Sequence, residues 1–161
     1  MNDRTTNTQD RFPKVRDGNT KTALVFTEGT YSYAALDRRI SQFASGLLGD
    51  ETDLSERRIA MIIPASLDYV TALLGIWGAG GIAVPLNPTS TVPELRHALS
   101  CAGVSRLIAN SEYQTKVEEL CSSIDIPMST VGDVLEAVLP DENRTLPTVT
   151  DDRRAMILFT S

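Results

Sequence analysis

The chain has 161 residues, 42% of them hydrophobic and 22% charged, which fits one globular domain and excludes a disordered polymer. Its net charge of -6 argues against nucleic acid and anionic membrane as partners, since both are held by basic patches. The two cysteines, Cys101 and Cys121, form no CxxC pair; they suit a reducing compartment and supply no metal framework.

Residues 1–21 read as a flexible polar leader. They lack the apolar core of a signal peptide, and their acidic residues argue against a mitochondrial transit peptide, so the expected location is cytoplasmic. A strand is predicted over 23–26, with a hairpin turn at Glu28 to Thr30 and a return through Tyr31. Ser32 then caps a helix over 33–48, in which Tyr33, Leu36, Ile40, Phe43 and Leu47 recur at helical spacing opposite Asp37, Arg38, Arg39 and Gln42.

From Ile59 to Pro93 the only charge is Asp68. The run over 59–63 lacks polar alternation, which predicts a strand buried on both faces, as in a parallel sheet covered by helices on both sides. Pro64 ends it, Ser66 caps the next helix over 67–78, and Asp68 in the first turn favours the helix dipole. Asp68 and the Gly and Pro breaks exclude a membrane span here. Leu67, Val70, Leu73, Leu74, Ile76 and Trp77 surround this helix, which predicts that it is largely buried. The run Gly78-Ala79-Gly80-Gly81 stops it, and 82–85 reads as the next buried strand.

Thr91 to Glu94, TVPE, is a capping box with proline just inside the start of a helix over 92–101. A strand over 106–109, a helix over 113–121 and a weak strand within Ile124 to Thr130 follow. After a polar linker from Pro140 to Thr150, a buried strand is predicted over 155–159. Alternating strands and helices with short connections and no internal repeat predict an α/β domain with a mostly parallel sheet flanked by helices. Ile62, Leu74, Trp77, Ile82 and Val84 are the expected core.

No constellation within the chain is complete. His97, the sole histidine, has no Cys or acid at ligand spacing, and a general base must be oriented by a partner, so it reads as a satisfied surface or half-buried residue. Cys101 and Cys121, near helix ends, read as small core residues. Glu118-Glu119 and Asp151-Asp152-Arg153-Arg154 read as solvated surface or the start of a strand. The glycines at 75, 78, 80 and 81 follow a helix and do not match GxGxxG, so they present no helix N-terminus to a dinucleotide. What remains is the tail, where a strand runs into Thr160 and Ser161; hydroxyls at such a turn, with glycines after them, hold phosphates.

Three stretches together resemble the adenylate-forming (AMP-binding) superfamily of acyl-CoA synthetases, luciferases and peptide-synthetase adenylation domains. YSYAALDRRISQFASGLL resembles the family's early helix. RIAMIIPASLDYVTALLGIWGAGGIAVPLNPTSTVPELRHAL resembles its long strand–helix–strand block, and DDRRAMILFTS resembles the approach to its phosphate loop. The Val-Pro-Leu-Asn-Pro strand exit is closer to free-standing acyl-CoA synthetases than to peptide-synthetase domains, and the overall pattern resembles the malonyl-CoA synthetase-like branch.

The resemblance implies a partial N-terminal subdomain over 22–161 that stops inside the phosphate loop, of which only Thr160 and Ser161 are present as ATP phosphate-binding residues. The family's Gly-Thr-Thr-Gly run and its magnesium and lysine motifs have no counterpart here. It further implies an enzyme that uses ATP and Mg²⁺, takes a small carboxylic acid and CoA as substrates, and makes an acyl-adenylate and then a thioester. This chain alone is expected to be inactive and to carry no catalytic or metal-binding residue, and the exposed half-sheet is expected to self-associate. Two other readings stand beside this one: a self-standing flavodoxin-like binding module, and a non-catalytic interaction protein.

Overall fold

The computed structural model describes residues 20–137 and 145–159. The predicted leader, apart from its last two residues, lies outside these, as do Thr160 and Ser161.

The described chain opens with an antiparallel hairpin, β1 (Thr22–Phe26) and β2 (Gly29–Ser32). Tyr31 stacks edge-on against Phe26, with ring centroids 6.5 Å apart. The Ser32 hydroxyl then accepts from the Ala35 N–H and starts helix α1 (Tyr33–Leu48), as its capping chemistry predicts.

The body is a four-stranded parallel sheet. Its strands are β3 (Arg58–Ile62), β4 (Ile82–Pro85), β5 (Arg106–Ala109) and β6 (Met128–Thr130), in the order β4-β3-β5-β6. Helices α2 (Leu67–Gly78), α3 (Val92–Ala102) and α4 (Gln114–Ser123) make the crossovers, and a short α5 (Val131–Glu136) follows β6. A 3-10 turn, Ser111–Tyr113, occupies the predicted start of α4.

The apolar run of β3 is explained by two cores, one on each face of the sheet. Ile59, Met61 and Ile63 join Phe43, Ala44 and Leu47 of α1, Ala72 and Ile76 of α2, and Val134 of α5. Ala60 and Ile62 join Leu95 and Leu99 of α3 and Val117, Leu120 and Cys121 of α4. A strand whose alternate residues enter different cores has no face left for polar side chains. The predicted capping box of α3 is present: the Glu94 carboxylate accepts from the Thr91 N–H at 2.6 Å and its hydroxyl at 3.0 Å.

Two expectations are corrected. Ile62, Ile82 and Val84 are core, but Leu74 and Trp77 are only half-buried. Helix α2 turns Thr71, Ala72, Gly75 and Ile76 inward, where small residues let α1 come close, and this leaves the larger Leu74 outside both cores. The buried strand predicted over 155–159 is a single parallel bridge between Met156 and Ala83. It lies on the outer side of β4, and with nothing described beyond it Leu158 and Phe159 stay exposed.

Candidate functional site

The segment that leads to Thr160 and Ser161 is held by polar contacts. Along β4, the Ala83 N–H donates to the Ala155 carbonyl at 3.0 Å and the Ile157 N–H donates to the Ala83 carbonyl at 2.9 Å. Residues 153–157, here termed the strap, therefore run parallel to β4. The chain leaves them toward the carboxyl edge of the sheet, the edge at which open α/β sheets bind ligands.

The turn between α1 and β3 anchors the start of the strap. Arg153 places Nη1 and Nη2 on the two carboxylate oxygens of Asp53, at 2.8 and 2.6 Å. Arg154 donates its Nε and Nη2 to Glu56 at 3.0 and 2.5 Å, and its backbone N–H to the same carboxylate at 2.8 Å. The hydrogen bonds from Arg153 hold the Asp53 carboxyl below its ordinary pKa, and those from Arg154 do the same for Glu56.

The turn has an unusual backbone. Ser55 and Glu56 take φ of 50° and 61°, left-handed values that cost a non-glycine residue about 1–2 kcal/mol. The Glu56 N–H donates to the Gly80 carbonyl at 2.8 Å, and the Ser55 N–H donates to Asp53 Oδ1 at 2.7 Å. Gly80, at φ 79°, borders the same cluster: a Cβ there would strike Asp53 Oδ1 and lie 2.7 Å from Arg153 Nη1. From the end of α2, Trp77 Nε1 donates to the Ala155 carbonyl at 2.6 Å.

The other candidates stay apart from this cluster. Cys101, expected in the core, is exposed, and it stands one turn from His97 on the same face of α3, with Nε2 3.5 Å from Sγ, where no cysteine partner was expected. Among the described residues no group of three His, Cys, Asp or Glu side chains is placed to hold a metal. Cys121 is buried, and burial raises its thiol pKa. Glu118 and Glu119 are exposed. Among the described residues no helix is long and apolar enough to cross a membrane.

Sequence reasoning read Arg153 and Arg154 as surface and missed Asp53 and Glu56. Their partners are 100 and 98 residues away, and no local pattern records such a pairing. Trp77 was read as core because its indole looks apolar in a helical pattern; the N–H it carries was the available signal for a polar partner.

Comparison with known proteins decides the parentage. The family model described as AMP-binding enzyme matches residues 13–161. The chain belongs to the AMP-binding enzyme family. Feruloyl-CoA synthase of an Amycolatopsis species is 33% identical over 132 residues, covering 81% of this chain and 26% of that protein. The mitochondrial malonate–CoA ligase of Xenopus laevis is 27% identical over 150 residues, covering 88% of this chain and 26% of that one. The chain thus spans about a quarter of the length of these two AMP-binding relatives.

Apo MatB from Rhodopseudomonas palustris shares the fold. Its TM-score is 0.77 at 22% identity, covering 90% of this chain and 30% of that chain. The parallel sheet flanked by helices is accordingly the fold of a subdomain of AMP-binding enzymes, as the resemblance implied. Neither the self-standing module nor the interaction protein gains support.

Proposed function

We propose that this chain supplies the first subdomain of a cytoplasmic ATP-dependent acyl-CoA synthetase. In that enzyme a carboxylate attacks the α-phosphorus of ATP to give an acyl-adenylate and pyrophosphate. The CoA thiol then displaces AMP to give the thioester. Thr160 and Ser161 would bind the ATP phosphates through their hydroxyls and backbone N–H groups. The observation that carries this reading is the strap: Ile157, bonded to β4, stands three residues before Thr160, and the chain there runs toward the ligand-binding edge of the sheet.

Magnesium would offset the triphosphate charge in the complete enzyme. The strand exit Val84-Pro85-Leu86-Asn87-Pro88 favours a free-standing CoA ligase, and the malonate-type branch is the preferred subclass. The exposed Leu158 and Phe159 beside the open edge would let the isolated chain self-associate.

The test is acid-dependent exchange of pyrophosphate into ATP by the ligase that carries this chain, with malonate, a hydroxycinnamate and short, branched, aromatic and long-chain acids. Exchange with one of them is expected, and silence with all of them would overturn the reading. The 161-residue chain alone is expected to exchange nothing, because the Gly-Thr-Thr-Gly run and the lysine are not in it. Loss of even one such donor commonly costs on the order of a hundredfold in rate.

A further inference from the structure

The strap is not held by burial. Arg154 and Ala155 are exposed, and Arg153, Met156 and Ile157 are only half-buried. Its polar contacts from outside the sheet converge on three consecutive residues, Arg153 to Ala155, from one turn and one indole, and Ala83 of β4 bonds Ala155 and Ile157. At the turn from α1 to β3, two left-handed residues in succession aim Asp53 and Glu56 at neighbouring arginines. At the turn from α2 to β4, a glycine leaves the space that Asp53 and Arg153 occupy. Left-handed backbone at non-glycine residues persists only where surrounding contacts enforce it, and it collects at sites of function.

We infer that Asp53, Glu56 and Trp77 fix the strap on β4 and so act as positioning residues for the nucleotide-phosphate site. The second half of this statement rests on the ligase reading above. The first half stands on the contacts themselves.

The two ion pairs are not equal. Arg154 is 70% exposed at its side chain, and exposed pairs contribute little. Asp53 and Arg153 are 23% and 25% exposed and meet through both carboxylate oxygens, the geometry in which Arg–carboxylate pairs are strong. Asp53 therefore carries most of the anchoring. Trp77 adds a built-in reporter, since it is the only tryptophan in the chain and its indole touches the strap.

The test has two arms. In the 161-residue chain, hydrogen exchange is followed at the Ile157 amide, bonded to β4, and at the Leu107 amide, bonded to the Pro127 carbonyl. Asp53→Asn is expected to lower Ile157 protection on the order of tenfold while Leu107 keeps its own, with a red shift in Trp77 emission. Arg153→Gln should do the same, and the double variant should lose no more than either single one, the signature of a coupled pair. Unchanged Ile157 protection, or equal losses at Ile157 and Leu107, would overturn the strap.

In the ligase, Asp53→Asn is expected to raise the KM for ATP several-fold with the KM for the acid unchanged. Equal effects on both, or none, would overturn the link to the phosphate site. Silence of the wild-type ligase with every acid would overturn the ligase reading and this link together, while the Ile157 and Leu107 amides would still decide the strap.

Discussion

Phe43 of α1 occupies the space that a side chain on Gly75 of α2 would need: a Cβ there would sit 2.5 Å from Phe43 Cδ1. The two helices cross at a point where only hydrogen fits. Phe43 is fully buried and cannot swing away into solvent. Gly75→Ala is therefore expected to destabilise the fold by about 1–3 kcal/mol, the usual cost of overpacking a filled core. At Gly46 the obstacle is the backbone carbonyl of Val134, which cannot rotate aside, so Gly46→Ala should cost more than Gly75→Ala. Denaturant melts of the two variants check the order; equal or smaller loss at Gly46 would mean that α5 moves freely.

Leu99 and Leu74 make a matched pair of probes. Leu99 is completely buried between α3 and the sheet. Leu99→Ala should cost roughly 2–5 kcal/mol, because it removes a filled site from a dense core. Leu74 is half-exposed on α2, and Leu74→Ala should cost about 1 kcal/mol or less. Comparable losses in chemical denaturation would place Leu74 in the core after all.

Acid should release the strap. Hydrogen bonds from Arg153 lower the pKa of Asp53, so its contribution is fully present above the ordinary aspartate value of about 3.9. That contribution falls away as the pH drops through the depressed folded value, when the carboxyl takes up a proton and stops accepting from Arg153. Glu56 behaves in the same sense through Arg154. Trp77 emission followed from pH 7 downward should stay flat to about pH 4 and then shift. In the Asp53→Asn/Glu56→Gln double variant the emission should already be shifted at neutral pH, with the acid step gone. An acid step of full size in the double variant would assign it to other groups.

The thiols should separate cleanly. Cys101 is exposed, and Cys121 is buried with its thiol pKa raised by burial. A chromogenic disulfide reagent should titrate one thiol in the native chain and both in guanidinium, since only the thiolate reacts. Immediate reaction of both under native conditions would show that α4 opens readily.

The layered fold was legible because local chemistry agrees with it. An uncharged run without alternation forced β3 between two helical layers, and serine, threonine and glutamate at fixed offsets marked the starts of α1, α2 and α3. Helix α5 carried a readable signal of the same kind, since Thr130 and Asp133 form a capping box, but its six residues are too short for a period to emerge. Leu74 was misplaced because bulk was taken for burial where the crossing of α1 and α2 selects small residues. The anchoring cluster was beyond reach for a different reason. Asp53 and Arg153 recognise each other only after the sheet has brought their turns together, and neither residue differs locally from any surface charge.

The separation of Asp53 and Arg153 also sets an order of events as the chain is made. At about 5–20 residues per second, the 100-residue separation between them takes roughly 5–20 s to emerge from the ribosome. The strands β3 to β6 and their crossovers lie wholly inside that interval and can pair without the strap. During this time Asp53 and Glu56 face water with no arginine opposite, and the outer edge of β4 is unpaired, the kind of edge to which a neighbouring nascent chain adds. Closure of the two ion pairs then follows the pairing of the sheet, and the arginines act as a latch on an edge that synthesis leaves open.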